Sequence, residues 1–323
     1  MGFEMTQPIE GADMADNEDF NRIKILRSAR ENPRPEYLTE RGRLIHGLTL
    51  PGGSLPSSRE TDLSPCEVDE VINLIVKGRH TRIPVVMPEH LRARSWQSVE
   101  DVILKLEYAL GWEGAGWKVG AASQQVRQAE NIPCPSPGRL FKRSIFRSPA
   151  IIPSEYFVNY RLCEFEFAFE LGIDFPAREK EYSEADLRAG IECLMPVIEI
   201  GDSVFEDWYS LSGYFGGMYD NAGGAAFVTG KRHTEWGNID LPKSNIDVYV
   251  NDSYIKSGLG VEAMGHPVTS LAWMVNWVCA RGRDVKAGEL VSTGTCTAHT
   301  FVQPGDLVSA DFTDLGFVEV RFV

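Results

Sequence analysis

The stretch Leu162-Cys163-Glu164-Phe165-Glu166-Phe167-Ala168-Phe169 alternates strictly, and no other part of the chain restricts the fold as much. A period of two is a strand, with Cys163, Phe165, Phe167 and Phe169 turned to one side and Leu162, Glu164, Glu166 and Ala168 to the other. Glu164 and Glu166 then stand roughly 6.5–7 Å apart on one face. Two carboxylates at that spacing, on a strand whose other side is a core-facing aromatic row, are costly unless something positive sits between them. A divalent cation held by oxygen ligands meets that need. The competing reading is an exposed strand face on which both glutamates are solvated. Glu199 weighs against it, because it lies in the apolar strand Pro196-Val197-Ile198-Glu199-Ile200, where a lone carboxylate is unexpected.

Around that strand the pattern predicts an α+β chain with a mostly antiparallel, curled sheet in place of alternating βαβ units. Strands are expected at 161–171, 196–201, 224–229, 246–251, 289–293, 306–312 and 316–322. Helices are expected over 20–29, from Ser64 (capping box with Glu67, Pro65 in the first turn, Gly78 as the stop), from Ser98 to Gly111, from Ser183 to Leu194, and from Pro267 to Arg281. A short strand is expected at Trp117-Lys118-Val119-Gly120. Residues 1–15 are polar, and the Pro/Gly/Ser-rich run at 50–58 has linker composition. This divides the chain into an N-terminal arm, residues 1–60, and a main body, residues 61–323, with a sub-boundary near 112.

Bulk properties exclude several classes. Lys+Arg 32 against Asp+Glu 46 leaves a net charge of −14, and no basic cluster is present to hold a phosphate backbone, so nucleic acid is not an expected partner. No apolar run reaches the length of a membrane helix and residues 1–20 lack the pattern of a signal peptide. The six cysteines are scattered without a CxxC, which reads as reduced thiols in a cytoplasm.

Other constellations are weaker. Lys118, between Gly116-Trp117 and Val119-Gly120, either snorkels to solvent or is held in a site, where it binds an anion or transfers protons. Gly258-Leu259-Gly260-Val261-Glu262-Ala263 has the letters of a dinucleotide fingerprint in the wrong context and reads as a tight loop. The six histidines show no zinc spacing. His299 either faces a pocket or is a plain loop residue. Ser203 and Ser210 lack a nucleophile elbow, and Cys296 has no base placed beside it.

Taken in order, Gly116-Trp117-Lys118-Val119-Gly120, Gly138-Arg139-Leu140-Phe141, Glu164-Phe165-Glu166, Glu199-Ile200-Gly201-Asp202-Ser203, Asp207-Trp208, Asp220-Asn221-Ala222, Gly265-His266-Pro267, Ser292-Thr293-Gly294 and Pro304-Gly305-Asp306 resemble the fumarylacetoacetate hydrolase superfamily. The branch is that of 2-keto-4-pentenoate hydratase and 4-oxalocrotonate decarboxylase, and the resemblance spans residues 65–323. It implies a β-roll core with an α-helical and mixed N-terminal part, a homo-oligomer, and Mg²⁺ or Mn²⁺ on Glu164, Glu166 and Glu199. It implies a small-molecule 2-oxo acid as substrate. Lys118 would bind its carboxylate and transfer protons, Asp202 would support the site or handle protons, and Thr293, Gly294 and Thr295 would line it. The chain departs from the hydratases at Arg143, where they carry aspartate, at Val204, where arginine is common, and at Gly223 and Gly224, where serines are common. Arg143 would grip an additional carboxylate or other acceptor.

The expected activity is a metal-dependent lyase, a hydratase adding water to a 2-hydroxy-2,4-dienoate (2-oxo-4-enoate) in ring-cleavage catabolism. The alternatives are a decarboxylase of a 2-oxo-dicarboxylate such as 4-oxalocrotonate, a C–C hydrolase of an acylpyruvate, and a non-catalytic relative that binds a 2-oxo acid.

Overall fold

The computed structural model describes residues 61–323 apart from 93–94, 130–131 and 207–216, together with Arg27. In chain order come helices α1 (Pro65–Thr81) and α2 (Trp96–Leu110), strand β1 (Gly114–Gly120), helix α3 (Gln124–Ala129), strands β2 (Ser136–Phe141), β3 (Ile145–Arg147), β4 (Ala150–Ile152) and β5 (Leu162–Leu171), helix α4 (Glu184–Ala189), strands β6 (Ile191–Gly201), β7 (Gly224–Thr229), β8 (Asn245–Val250) and β9 (Ser253–Leu259), helix α5 (Pro267–Cys279), and strands β10 (Leu290–Ser292), β11 (Thr300–Phe301), β12 (Leu307–Phe312) and β13 (Gly316–Phe322).

The alternating strand is the middle of the molecule. β5 sits fourth in a sheet ordered β2-β1-β10-β5-β6-β7-β3, with β11 also pairing to it. A second sheet runs β4-β13-β12-β8-β9. The pairing is mostly antiparallel, as the sequence implies; β1/β10, β4/β13 and β3/β7 are the parallel pairs among the described residues. Cys163, Phe165, Phe167 and Phe169 are all fully buried. They join Val248, Phe312, Val318 and Val320 of the second sheet and Leu271, Met274, Val275 and Val278 of α5 in one core. Phe167 meets Phe312 edge-on, ring centroids 5.5 Å apart. Burial of one large side chain of this kind contributes about 1.5–3 kcal/mol, so the aromatic row fixes which face of the sheet is core and leaves the glutamate face on the opposite side.

A second core lies under the N-terminal helices. Val68, Val71, Ile72 and Ile75 of α1 pack with Val99, Val102, Ile103 and Leu106 of α2 and with Phe141, Val204, Phe205 and Tyr219. Arg27, the one described residue of the arm, is helical, and its Nε donates to Asp311 Oδ2 on β12 at 2.7 Å. The rest of the helix expected over 20–29 and the 50–58 linker lie outside the described residues.

Several element boundaries differ from expectation. α1 does not stop at Gly78 but continues to Thr81, with Arg82 as a left-handed C-cap at φ 57°. Gly78 is a packing glycine, since a Cβ there would meet Val204 Cβ at 2.6 Å. The N-cap of α2 is Ser95, whose side chain accepts from Ser98 N; Ser98 lies inside the first turn, and its Oγ accepts from Leu63 N at 2.7 Å. The expected helix from Ser183 to Leu194 ends at Ala189, and β6 begins at Ile191. Beyond Gly190 the residues enter the sheet beside β5, and long-range pairing overrides local helix preference. Gly258 and Leu259 end β9, followed by a 3-10 turn at Gly260–Glu262. Gly258 is pressed against the Cys296 carbonyl and Gly260 against that of Leu241, which accounts for both glycines without a nucleotide.

Candidate metal and 2-oxo acid site

On the glutamate face of the first sheet, register brings three strands' charged residues together. Glu164 of β5 lies directly opposite Glu199 of β6, and Glu166 is two residues along on the same face. Lys118 of β1 is opposite Ser292 of β10, which is opposite Ala168 of β5. One carboxylate oxygen from each of Glu164, Glu166 and Glu199 lies within 4.8 Å of the others. Lys118 Nζ is 2.9 Å from Glu199 Oε1 and donates to the Ala222 carbonyl at 2.7 Å.

Burial makes this grouping costly. Lys118 and Glu199 are each 2% exposed and Glu166 is 1% exposed. Glu166 Oε2 accepts from Ser292 Oγ and from Gly294 N, the latter at 3.0 Å. Burial, with repulsion from Glu199 and Glu164, nevertheless pushes its carboxyl well above the usual range. Burial raises Glu199 to about 7, against the pull of Lys118. Glu164 behaves oppositely: burial works against its charge, but the hydrogen bond and charge of His299, with Lys118, hold it below the usual value. Lys118 loses by burial and gains more from Glu199, Glu164 and Glu166, so its ammonium is favoured.

Neither buried oxygen of Glu199 makes a well-angled hydrogen bond among the described residues; the Lys118 contact is an ion pair only. Uncompensated buried acceptors beside two further carboxylates make an all-oxygen donor set that fits a hard divalent cation such as Mg²⁺ or Mn²⁺. These residues therefore fit the metal that the resemblance implies.

The remaining expected site residues fall in different places. Gly294 has φ +89° and packs against Ala122, which lets its N–H reach Glu166. Thr295 lines a cavity of about 710 Å³ with Thr297, His299, Ser257 and Glu262. His299 faces this cavity and places Nε2 3.1 Å from Glu164 Oε1, which settles its open alternatives in favour of the pocket. Thr293 is a correction: its Oγ1 donates to the Phe167 carbonyl at 3.0 Å and its own carbonyl accepts from Ser270 Oγ, so it secures a loop to β5. Asp202 is fully buried. Its carboxylate accepts from the backbone N–H groups of Val158, Asn159 and Tyr160 at 2.7, 2.9 and 3.1 Å, so it holds that turn in place.

Arg143 is exposed, with its guanidinium 4.4 Å above the Trp112 ring. Its neighbour Ser144 lines a small cavity with Leu140, Ile145, Phe227, Gly224 and Glu199. Val204 is buried against α1, where Gly78 leaves no room for an arginine. A Cβ on Gly224 would come within 3.1 Å of Lys118 Cε and 3.3 Å of Glu199 Oε1, so the side chain missing there is missing from the site itself. Cys296 is fully buried, and its thiol is pushed well up, chiefly by desolvation; Ser203 is fully buried as well. Ser210 and the Asp207-Trp208 motif lie outside the described residues. What residue-level reading missed was Ser292 and the Ala222 carbonyl as partners; both sit in motifs quoted for the family resemblance, but their roles depend on register.

Comparison with known proteins agrees with this geometry. Residues 223–323 match the family described as fumarylacetoacetate (FAA) hydrolase C-terminal. A 2-hydroxyhexa-2,4-dienoate hydratase of Comamonas testosteroni is 30% identical over 224 residues, covering 68% of this chain and 82% of that protein. A 4-oxalocrotonate decarboxylase of Pseudomonas putida is 31% identical over 139 residues, 43% of this chain and only 52% of that relative's length. In fold, the chain resembles 4-oxalocrotonate decarboxylase from Pseudomonas putida G7, complexed with magnesium and adipate, at TM-score 0.73 and 22% identity over 81% of this chain and 99% of that one. The strand order, the glutamate trio and these similarities lead to one assignment: the chain belongs to the fumarylacetoacetate hydrolase family, in the branch of the 2-keto-4-pentenoate hydratases and 4-oxalocrotonate decarboxylase.

Proposed function

We propose that the chain is a divalent-metal-dependent lyase, a hydratase that adds water to a 2-hydroxy-2,4-dienoate or 2-oxo-4-enoate acid. The observation that carries this reading is the convergence of Glu164, Glu166 and Glu199 within 4.8 Å, with Lys118 beside Glu199 and the Glu199 oxygens without a hydrogen bond among the described residues. The three glutamates would hold Mg²⁺ or Mn²⁺. Bound there, the ion acts as a Lewis acid toward the carboxylate and 2-oxygen of a 2-oxo acid.

The rest is the work of the chain itself. Lys118 donates one N–H to the Ala222 carbonyl and pairs its charge with Glu199, which leaves donor capacity on its ammonium for a substrate carboxylate oxygen. Ser292 Oγ and Gly294 N fix the Glu166 carboxylate in place, so it need not reorganise when substrate enters. Leu140, Ile145 and Phe227 form an apolar wall beside Glu199. Arg143, steadied on Trp112 and next to Ser144 of that wall, is the candidate grip for a further acceptor on the substrate. Six free cysteines suit a reducing cytoplasm, and no described helix is long and apolar enough to cross a membrane.

A decarboxylase of a 2-oxo-dicarboxylate is the second reading, supported by the 31% identity to the Pseudomonas putida enzyme. One assay separates them. Chelated protein reloaded with Mg²⁺ is given 2-hydroxy-2,4-dienoates and 4-oxalocrotonate, with dienol absorbance and CO₂ followed together. Loss of absorbance without CO₂ is the expected result; CO₂ release selects the decarboxylase, and no metal-dependent turnover of either overturns both.

A further inference from the structure

We propose that Arg79, on the N-terminal helix α1, is a positioning residue that aims Lys118 through the turn at residues 220–224. This rests on the reading of Lys118 and the three glutamates as a metal and 2-oxo acid site.

The turn is conformationally unfavourable by itself. Asn221 and Ala222 both have left-handed backbone, φ 56° and 50°, and Gly223 follows at φ 79°. Consecutive non-glycine residues in that region persist only when their surroundings impose it. The result is that the Ala222 carbonyl points at Lys118 Nζ, 2.7 Å away, while a Cβ on Gly138 would collide with the lysine stem and one on Gly224 would crowd its Cε at 3.1 Å. Lys118 is thus held laterally by glycines and at its tip by one carbonyl.

Two clamps hold the turn. The Asn221 amide bridges β2, with Oδ1 accepting from Arg139 N at 2.7 Å and Nδ2 donating to Arg139 O at 2.9 Å. The other clamp is ionic and comes from a different layer of the fold. Arg79 Nε and Nη2 grip Asp220 Oδ1 and Oδ2 at 3.0 and 2.8 Å. Arg79 Nη2 also donates to the Asp202 carbonyl at 3.1 Å. Asp220 Oδ2 accepts from Val204 N at 2.7 Å, and Asp202 N donates to the Gly223 carbonyl at 2.8 Å. Arg79, Asp220 and Asp202 are 10%, 1% and 0% exposed, so no water replaces a lost partner cheaply. Both ends of the strained turn are tied to one guanidinium. Without it the buried Asp220 loses its counter-ion, the turn relaxes, and the Ala222 carbonyl leaves the lysine.

The test is titration calorimetry with Mn²⁺ and then with oxalate, whose paired oxygens chelate a divalent ion as a 2-oxo acid does. The proteins are the full chain, Arg79→Met, Arg79→Lys, Lys118→Met and the double variant Arg79→Met/Lys118→Met. The expected result is Mn²⁺ affinity within threefold of the parent for both Arg79 variants. Oxalate affinity falls at least tenfold in Arg79→Met and less in Arg79→Lys, which keeps the charge and loses the fork. Because the effect passes through Lys118, Arg79→Met costs less than twofold once Lys118 is already Met. A tenfold loss in both backgrounds, or unchanged oxalate affinity in Arg79→Met, overturns the proposal. Should Arg79→Met fail to fold, Arg79→Lys decides: parental oxalate affinity overturns the proposal, and a loss that vanishes when Lys118 is Met supports it. A parent chain that takes up no Mn²⁺ overturns the metal reading first, and this inference with it.

Discussion

Lys118 Nζ lies 2.9 Å from Glu199 Oε1 with both side chains 2% exposed, yet neither Glu199 oxygen makes a hydrogen bond of good geometry among the described residues. The lysine supplies one positive charge against three carboxyl groups, and burial with mutual repulsion opposes the ionisation of Glu166 and Glu199. A doubly charged ion would favour all three in the ionised form, and the energetics of the protein should report it.

Metal removal should therefore soften the fold. At a free Mg²⁺ concentration one hundred times its Kd, binding adds about 2.7 kcal/mol, and chelation should lower Tm accordingly. Differential scanning calorimetry with and without chelator measures this. An unchanged Tm across a wide Mg²⁺ range would contradict the trio as a metal site.

Glu166→Gln should remove the metal response without harming the fold. The substitution replaces a buried carboxyl whose ionisation is opposed by burial and by Glu199 and Glu164, and the amide oxygen still accepts from Ser292 and Gly294. The apo variant should unfold at or above the parent's Tm, while Mg²⁺-dependent turnover disappears. Full activity in this variant would remove Glu166 from the site.

Lys118→Met should separate substrate use from metal uptake. Breaking a buried ion pair on one side costs about 3–5 kcal/mol, so the apo protein should lose stability, and bound Mg²⁺ should recover much of it. Mn²⁺ titration followed by steady-state kinetics reads both effects. Parental kcat/KM would show that the lysine has no part in substrate use.

Gly138→Ala is a steric probe. The added Cβ would meet Lys118 Cγ and Cε at 2.7 Å and the Asn221 carbonyl at 2.9 Å, and the lysine is the group that can yield. At least a tenfold fall in kcat/KM, about 1.4 kcal/mol, should accompany near-parental Mn²⁺ affinity. If turnover is untouched, the lysine's aim does not matter.

Phe167→Ala tests the scaffold. Phe167 is fully buried against Phe312 of the second sheet, and truncation of a buried phenylalanine costs about 3–5 kcal/mol. Urea unfolding should show that loss as a lower midpoint.

How far the sequence alone reached follows from the range of the forces involved. The period-two pattern of residues 162–169 is local, so it was enough to define β5, its core face and the two glutamates opposite; the α+β class followed from the same kind of pattern elsewhere. The capping box at Ser64 and Glu67 was equally legible, because a cap is made by residues three apart. Pairing is not local. Only the antiparallel register set Glu199 across from Glu164, and only the β1/β10/β5 order carried Lys118 to them. Helix α4 stopping at Ala189, Asp202 holding the 158–160 turn and Thr293 tied to Phe167 are long-range outcomes of the same kind. So is the grip of Arg79 on Asp220, 141 residues away: it exists because packing α1 against Val204 leaves a buried carboxylate that needs a counter-ion, and nothing in the neighbourhood of either residue announces it.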